Sequence, residues 1–220
     1  MIDIFYNKGK NIDRTFGIKK VINYLKGKNV RLQDMKAVDT FAGDGTFCSH
    51  LLATEVKNMD CFELDYNIFE QLTHNLSKFK SAKHFYNCDS ISFFSTSNSD
   101  LFKYDFIFLD NPQGMYGQYF EYFNMLSNIK NMSNKKSILI HNLNVKPYKY
   151  DKLSSWANER NLFYGIDDCS DLDLEFMKEF HISFFEKLGI EVKSLEFIPR
   201  EKYKGNIYLY HAVYELELVN

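Results

Sequence analysis

Two glycines and an acid with spacing suited to an adenosine ligand stand in the first third of the chain. Segment 38–47, Val-Asp-Thr-Phe-Ala-Gly-Asp-Gly-Thr-Phe, ends a short apolar run in a turn that contains Gly43 and Gly45. Glu63 closes the next apolar run, twenty residues after Gly43. A glycine turn lets the backbone approach a ligand, and an acid at this distance can bind ribose hydroxyls. The spacing therefore predicts an adenosine site.

The residues of the turn indicate which adenosine ligand fits. A dinucleotide site uses a third glycine, and its helix begins at a pyrophosphate. None of the three residues after Gly45 is glycine, and Asp39 and Asp44 would repel a pyrophosphate. Acids suit instead the sulfonium and ammonium groups of S-adenosylmethionine (SAM). The alternative is an ordinary strand-to-helix turn in which glycine only supplies a positive φ.

A second polar group follows the apolar run 104–109, Tyr-Asp-Phe-Ile-Phe-Leu. It consists of Asp110, Asn111, Pro112 and Gln113. Open α/β sheets bind ligands at the carboxyl ends of their strands, and this group ends a predicted strand. A carboxylate or amide at this position can bind a substrate directly, so we predict these four residues as catalytic.

The hydrophobic pattern predicts that strands and helices alternate before two strands end the chain. Residues 142–173 carry the weakest pattern, and 200–205 reads as a hairpin loop. The predicted strands are Ala37–Phe41, Met59–Leu64, Lys83–Asn87, Tyr104–Leu109, Ser137–Ile140, Glu191–Ile198 and Ile207–Leu218. The predicted helices are 13–27, capped by Asp13, then Thr46–Ala53, Ile68–Leu76, Tyr119–Ile129 and Leu174–Leu188.

This order predicts an α/β, Rossmann-like fold. We expect a mainly parallel seven-stranded sheet with an antiparallel C-terminal strand pair and helices on both faces. The length of 220 residues suggests one domain, 1–220. Within it, 1–36 is a basic N-terminal helical segment that could meet an anionic substrate or be a solvated helix face. Segment 142–173 is a possible lid or insertion.

Composition narrows the class of protein. The net charge of −2 gives no overall attraction to nucleic acid or membrane, and no apolar run has membrane-spanning length. The four cysteines show no C-x-x-C spacing, and no cluster of His, Cys and Asp has metal-ligand spacing. We therefore expect a cytoplasmic protein without metal, in which the thiols stay reduced. The sequence does not indicate the oligomeric state.

The element order and motifs resemble the class I SAM-dependent methyltransferases over residues 14–218. The resemblance implies that the turn from Asp39 to Gly45 holds the methionine part of the cofactor. It also implies that Glu63 binds the ribose, that Asp89 accepts the adenine amino group, and that 110–113 face the transferred methyl. The implied cofactor-binding residues are Asp39, Phe41, Gly43, Gly45, Glu63, Leu64, Asp89 and Asp110.

Two motifs narrow the resemblance. Phe-Ala-Gly-Asp-Gly-Thr at 41–46 is similar to the F-x-G-x-G-T form, and 110–113 is similar to the D-P-P-[FY] signature, of base amino-methyltransferases. These include the rRNA guanine-N2 and DNA adenine-N6 types. Asn111 or Gln113 departs from the signature, and Tyr116 or Tyr119 could supply the missing aromatic. The expected function is methylation of an exocyclic amino group of a nucleic-acid base, RNA being favoured over DNA. Alternatives are a small-molecule or protein methyltransferase, or an inactive SAM-binding subunit.

Other polar residues have structural interpretations. Asp65 and Asp89 could each cap a helix, because acids favour the first turn. His141 ends the predicted fifth strand, where a hydrogen-bonded structural role is the alternative to a site role. His181 lies among helical phenylalanines and is expected to be exposed or capping.

Overall fold

A seven-stranded sheet forms the centre of the protein, seen here in a computed structural model that describes residues 16–96, 100–109, 123–146, 153–203 and 206–219. The strand order is β3-β2-β1-β4-β5-β7-β6. Strands β1 to β5 pair in parallel, whereas β7 is antiparallel to both of its neighbours. The strands are β1 Lys36–Asp39, β2 Asn58–Glu63, β3 Ala82–Asn87, β4 Tyr104–Leu109, β5 Ser133–Asn144, β6 Ile190–Tyr203 and β7 Asn206–Leu218.

The direction of strand addition reverses at β1. The chain adds β2 and β3 on one side of β1 and then crosses to place β4 on the other side. Asp39 at the end of β1 pairs with Phe108 of β4 and with Cys61 of β2. In open α/β sheets, ligands bind at such a switch point, outside the carboxyl ends of the strands. The fold therefore positions the glycine turn where a ligand is expected.

Helices cover both faces of the sheet and form two cores. One core lies under α1 to α3 and includes Ile18, Leu52 and Leu72; the other lies under α4 to α8 and includes Phe94 and Phe185. The predicted fold class is thus confirmed. The helices are α1 Phe16–Gly27, α2 Cys48–Glu55, α3 Tyr66–Leu76, α4 Ser90–Thr96, α5 Phe123–Leu126, α6 Ile129–Met132, α7 Ser155–Tyr164 and α8 Leu174–Lys187.

Helix α1 confirms the periodicity on which it was predicted. The four residues spaced along one face are buried, and the helix ends at Gly27 as expected. The predicted cap, Asp13, lies outside the described residues. The four buried residues are Ile18, Val21, Ile22 and Leu25.

Several predicted boundaries are wrong. Helix α2 begins at Cys48, because the Asp44 carboxylate binds the backbone N–H of Thr46 and keeps that residue in the turn. The described part of the predicted helix 119–129 is interrupted, and the Asn128 side chain donates to the Asn124 carbonyl at 3.3 Å. Strand β6 continues to Tyr203, so it includes the first part of the predicted hairpin loop, 200–205.

Strand β5 is longer than predicted and runs to Asn144. The predicted strand ended at Ile140 because polar residues follow the apolar run. The antiparallel ladder with β7, however, extends from Lys136 to Asn144. His141 and Asn142 are therefore buried strand residues, and not the end of the strand. Burial in a ladder does not require an apolar side chain when hydrogen-bond partners are present.

In the described part of segment 142–173, the possible lid or insertion, the end of β5 and helix α7 are regular secondary structure. Helix α7 is capped by Ser154, whose hydroxyl accepts from the Ala157 N–H at 3.1 Å, and it ends at Gly165 with φ of 70°. Leu172 N–H donates to the Val145 carbonyl at 2.9 Å and ties the following turn to the end of β5. Residues 147–152 lie outside the described part.

His181 is fully buried, which contradicts the expectation of exposure. Its Nδ1 lies 2.9 Å from the Tyr214 hydroxyl and its Nε2 lies 3.2 Å from the Tyr164 hydroxyl. His181 lies on the side of α8 that packs against the sheet, so its side chain is buried. Burial, with His141 and Arg160 nearby, lowers the pKa of His181 well below its usual value.

Candidate cofactor and methyl-transfer site

The glycine turn is tied to both neighbouring strands. The N–H and the hydroxyl of Thr40 each donate to the Phe108 carbonyl of β4 at 3.2 Å. The Ala42 N–H donates to the Phe62 carbonyl of β2 at 3.0 Å. These bonds hold the turn over the switch point of the sheet.

The two glycines of the turn have different roles. Both have positive φ, 56° at Gly43 and 75° at Gly45. A Cβ at Gly45 would lie 2.9 Å from side-chain atoms of Leu72 and Leu76, whereas a Cβ at Gly43 would meet no atom within 4 Å. Gly45 therefore allows α3 to pack against the turn. Gly43 leaves open space beside the backbone, as close approach of a ligand requires.

The acids of the turn are held by the backbone. Asp39 is buried, and its Oδ1 accepts from the Phe41 N–H at 3.2 Å. Asp44 Oδ1 accepts from the N–H of Thr46 at 3.0 Å and from its hydroxyl at 2.7 Å. Segment 39–47 contains these two carboxylates and no lysine or arginine. The turn thus suits a cationic ligand and disfavours a pyrophosphate.

Glu63 is oriented by its own turn. Its Oε1 accepts from the Asp65 N–H at 2.8 Å, while Oε2 makes no hydrogen bond within the described part of the chain. The side-chain amide of Asn87 donates to the carbonyls of Glu63 and Leu64 at 2.9 and 3.0 Å. Asp65 caps α3 through two backbone N–H groups, so its structural interpretation is confirmed. One carboxylate oxygen of Glu63 is left to accept from a ligand.

Leu64 and Asp89 stand on either side of this turn. Leu64 is 68% exposed, which leaves an apolar side chain at the rim. Asp89 caps α4: its oxygens accept from the Ile91 N–H at 3.2 Å and from the Ser92 N–H and hydroxyl at 3.3 and 2.6 Å. A carboxylate offers about four acceptor positions, so a capping acid can still accept from a ligand.

The predicted catalytic residues Asp110, Asn111, Pro112 and Gln113 lie outside the described residues, as do Tyr116 and Tyr119. The chain enters this segment from Leu109, which is buried and pairs with His141 of β5.

A buried polar group next to β4 was missed in the sequence. Arg200 of β6 donates from Nη1 to Asn142 Oδ1 at 2.8 Å, and Asn142 pairs with His211 of β7. A Cβ at Gly17 would lie 2.8 Å from Arg200 Cγ and 2.9 Å from His211 Nε2, so this glycine lets α1 approach. The sequence signal for this buried group was a single arginine shortly after the predicted strand that ends at Ile198.

Arg160 of α7 was also missed. It is fully buried, and it donates to the carbonyls of Cys169 at 3.0 Å and Asn144 at 2.5 Å. Its guanidinium lies 5.7 Å from the Trp156 ring and 5.3 Å from the Tyr164 ring. The sequence does contain a signal for this burial, because aromatic residues stand four positions before and four positions after Arg160. The contacts hold α7 against the end of β5.

Among the described residues, no group of three or more His, Cys, Asp or Glu side chains is arranged to hold a metal ion. No described helix has the length and apolar character needed to cross a membrane.

Comparisons with known proteins place the chain in a family and a fold. The model of the family described as Conserved hypothetical protein 95 matches residues 18–170. No curated protein matches the sequence significantly. Among solved structures, yhhF from Escherichia coli, which carries a provisional methyltransferase assignment, has a TM-score of 0.53 at 13% identity. The match covers 92% of this chain and 84% of that one.

Two similar structures contain the cofactor or its product. TYW2 from M. jannaschii, in complex with AdoMet, has a TM-score of 0.54 at 14% identity, covering 99% of this chain and 80% of that one. Magnesium protoporphyrin IX methyltransferase from Synechocystis, with bound SAH, has a TM-score of 0.52 at 13% identity, covering 91% and 81%. These two matches confirm the predicted fold, which in both neighbours holds SAM or its product.

Proposed function

Since the chain belongs to the family described as Conserved hypothetical protein 95 and has the fold of SAM-dependent methyltransferases, we propose that it transfers a methyl group from SAM to an exocyclic amino group of a nucleic-acid base. Within this proposal, RNA is preferred to DNA as the nucleic acid. The observation that carries the cofactor assignment is Glu63, oriented at the carboxyl end of β2 with one oxygen left to accept.

The residues present fit SAM. The carboxylates of Asp39 and Asp44 match its positive charges, and the open side of Gly43 admits it. Glu63 would accept from the ribose hydroxyls, and Asp89 from the adenine amino group beside the exposed Leu64. When bound, SAM supplies an electrophilic methyl group on a sulfonium centre.

The proposed chemistry at 110–113 is positioning. The amine of a base is a weak nucleophile, because its lone pair is delocalised into the ring. Asp110 or Asn111, with a backbone carbonyl, would accept its N–H groups and direct the lone pair outward, and such orientation supplies most of the rate. Gln113 replaces the aromatic of the signature, so Tyr116 or Tyr119 would stack on the base.

A second candidate is a cationic small molecule or protein as acceptor. The segment after α7 carries five acids, and Leu172 ties it to the end of β5 on the ligand-binding side of the sheet. Of these acids, Asp171 pairs with Lys146 and Asp173 caps α8. Such a rim repels phosphate and attracts a cation. The acids are Asp167, Asp168, Asp171, Asp173 and Glu175.

We also propose that residues 1–220 form one domain and that the protein works in the cytoplasm. Helix α1 packs against β6 and β7, so the two ends of the described chain share one sheet. All four cysteines are free thiols, and three of them are buried. Reduced thiols are usual in the cytosol.

Labelled-methyl transfer tests the acceptor. The protein is incubated with methyl-labelled SAM and separate pools of RNA, DNA, protein and small molecules, and labelled nucleic acid is digested to nucleosides. We expect label on a base amino group, in RNA more than in DNA. Label only in protein or small molecules would establish the second candidate instead. Cofactor binding without label in any pool would indicate a non-catalytic subunit.

A further inference from the structure

Ionisable side chains are separated between the two ends of the same three strands. At the carboxyl ends of β1, β2 and β3, segments 39–47, 63–67 and 87–92 contain acids and no lysine or arginine. The acids are Asp39, Asp44, Glu63, Asp65 and Asp89. This edge, which holds the candidate cofactor site, is therefore negative.

The amino ends of these strands have the opposite charge. Segments 28–36, 55–58 and 77–83 contain seven basic residues and only the acids Asp34 and Glu55. The basic residues are Lys28, Arg31, Lys36, Lys57, Lys78, Lys80 and Lys83. Since the whole chain has a net charge of −2, this positive potential is local to one edge.

Most of this positive charge is not neutralised. Asp34 is paired with Arg31 at 2.9 Å, and Glu55 is paired with Lys26 at 2.7 Å. The remaining exposed lysines have no carboxylate within 4 Å in the part of the chain that is described. We call this set the basic edge; it consists of Lys28, Lys57, Lys78, Lys80 and Lys83.

The basic edge is continuous. The Met35 carbonyl accepts from the N–H of Lys57 at 3.1 Å, and the Ser81 carbonyl accepts from the Met59 N–H at 2.7 Å, so the three turns are adjacent. Neighbouring strands lie about 4.8 Å apart, and three strands span roughly 10 Å. The Lys78 ammonium lies 5.4 Å from the ring of Phe79, which adds an aromatic side chain to this surface.

We propose that the basic edge binds the phosphate backbone of the nucleic acid that the protein modifies. The inference rests on the proposed function. Phosphate contacts supply affinity without reading sequence, whereas the acceptor base is read at the site. Segments 39–47, 63–67 and 87–92 at the cofactor edge carry acids and no lysine or arginine, so the ends of these three strands that attract a polyanion are the opposite ones.

The distance between the edges restricts the partner. Strand β2 has six residues, which span roughly 20 Å. A nucleic acid that engages both edges must therefore extend around the side of the sheet. A nucleoside or short oligonucleotide that contains the target base would reach only one edge and is expected to be a poor substrate.

A matched pair of triple variants tests the proposal. The first is Lys78→Gln, Lys80→Gln, Lys83→Gln. The control, with the same change in charge, is Lys136→Gln, Lys187→Gln, Lys193→Gln. Lys193 pairs with Glu191 at 2.6 Å, Lys136 lies opposite Glu217, and Lys187 is an exposed residue of α8 outside the basic edge. Retained SAM binding and circular dichroism confirm that each variant is folded.

Binding is measured by fluorescence anisotropy with a labelled RNA hairpin and a labelled DNA duplex over a series of KCl concentrations. In the first variant the affinity should fall at least about tenfold, and the slope of log K against log salt should decrease by about 3. The control should change neither quantity much. Equal effects in both variants, or no effect in the first, would overturn the proposal.

Labelled-methyl transfer separates the two proposals. If the wild-type protein methylates RNA while the first variant binds RNA as tightly as wild type, the basic-edge proposal fails and the acceptor proposal stands. If binding weakens but no label enters nucleic acid, the acceptor proposal fails alone. If the first variant keeps RNA binding but loses binding to vesicles of anionic phospholipid, the edge is a membrane surface and the proposal is overturned.

Discussion

The side-chain amide of Asn87 at the end of β3 donates to the backbone carbonyl of Glu63 at the end of β2, at 2.9 Å. It also donates to Leu64 at 3.0 Å, so one amide fixes the turn that carries the ribose-binding candidate. Glu63 is thus oriented from both sides, by Asn87 through its backbone and by the Asp65 N–H through its carboxylate.

Replacing Asn87 should weaken cofactor binding indirectly. Asn87→Ala removes two hydrogen bonds worth roughly 0.5–1.5 kcal/mol each, so the turn samples other conformations. We expect calorimetric titration with SAM to show binding several-fold weaker than wild type, while circular dichroism shows that the variant remains folded. Asn158→Ala, on the exposed side of α7, is the control and should bind normally. Unchanged affinity in Asn87→Ala would show that the turn is held without this amide.

The two glycines should respond differently to alanine. Both substitutions place a side chain at positive φ, but only Gly45→Ala also inserts a Cβ 2.9 Å from Leu72 and Leu76. We expect Gly45→Ala to lose roughly 1–3 kcal/mol more unfolding free energy than Gly43→Ala, because overpacking adds to backbone strain. Urea denaturation measures the difference. Equal losses would mean that α3 moves away without cost.

The buried His181 predicts acid sensitivity. Its folded-state pKa is lowered by burial, with His141 and Arg160 adding to the effect, while in the unfolded chain it is about 6.5. The neutral side chain stabilises the fold fully above about pH 6.5. As the pH falls below this value, the unfolded state gains the proton, and stability decreases by up to about 1.4 kcal/mol per pH unit.

Urea unfolding between about pH 7.5 and about pH 5 tests this linkage. His181→Gln cannot titrate but can still bond the hydroxyls of Tyr164 and Tyr214, so its stability should depend less on pH. His74→Gln, on the exposed side of α3, is the control and should follow wild type. Parallel pH profiles for wild type and His181→Gln would rule out the linkage.

Substitutions at the predicted catalytic segment should lower turnover far more than they weaken cofactor binding. If Asp110 or Asn111 aims the acceptor amine, Asp110→Ala and Asn111→Ala should lower the transfer rate by on the order of a hundredfold, since the lost contact is made mainly in the transition state. Asp100→Ala, before β4, is the control. Full activity in both variants would refute the assignment of these residues even in an active methyltransferase.

The local structure of the candidate cofactor site could be predicted because its signals are local. Gly43, Gly45 and Glu63 each stand where one apolar run ends, and the run itself identifies the strand. The same logic confirmed Asp65 as a helix cap, because a cap bonds to residues two and three positions along the chain.

The side of the sheet around β5 could not be predicted, because its partners are distant in the chain. Asn142 bonds Arg200, fifty-eight residues away, so a polar residue looked like the end of a strand. Arg160 bonds the carbonyls of Asn144, at the end of β5, and of Cys169, in an irregular segment, and no periodicity reveals such contacts. The burial of His181 could not be predicted, because it depends on which side of α8 faces β7.

The most direct measurement is calorimetric titration of SAM into the wild-type protein and into Glu63→Ala. We expect the wild-type protein to bind SAM. The variant should lose about 1.5–3 kcal/mol of binding free energy, because the charge-assisted hydrogen bonds from the ribose hydroxyls to Glu63 are removed. This corresponds to roughly tenfold to a hundredfold weaker binding. Glu186→Ala, on α8, should bind as wild type does. No heat with SAM, together with binding of a nicotinamide dinucleotide, would contradict the assignment of the glycine turn and Glu63 as a SAM site.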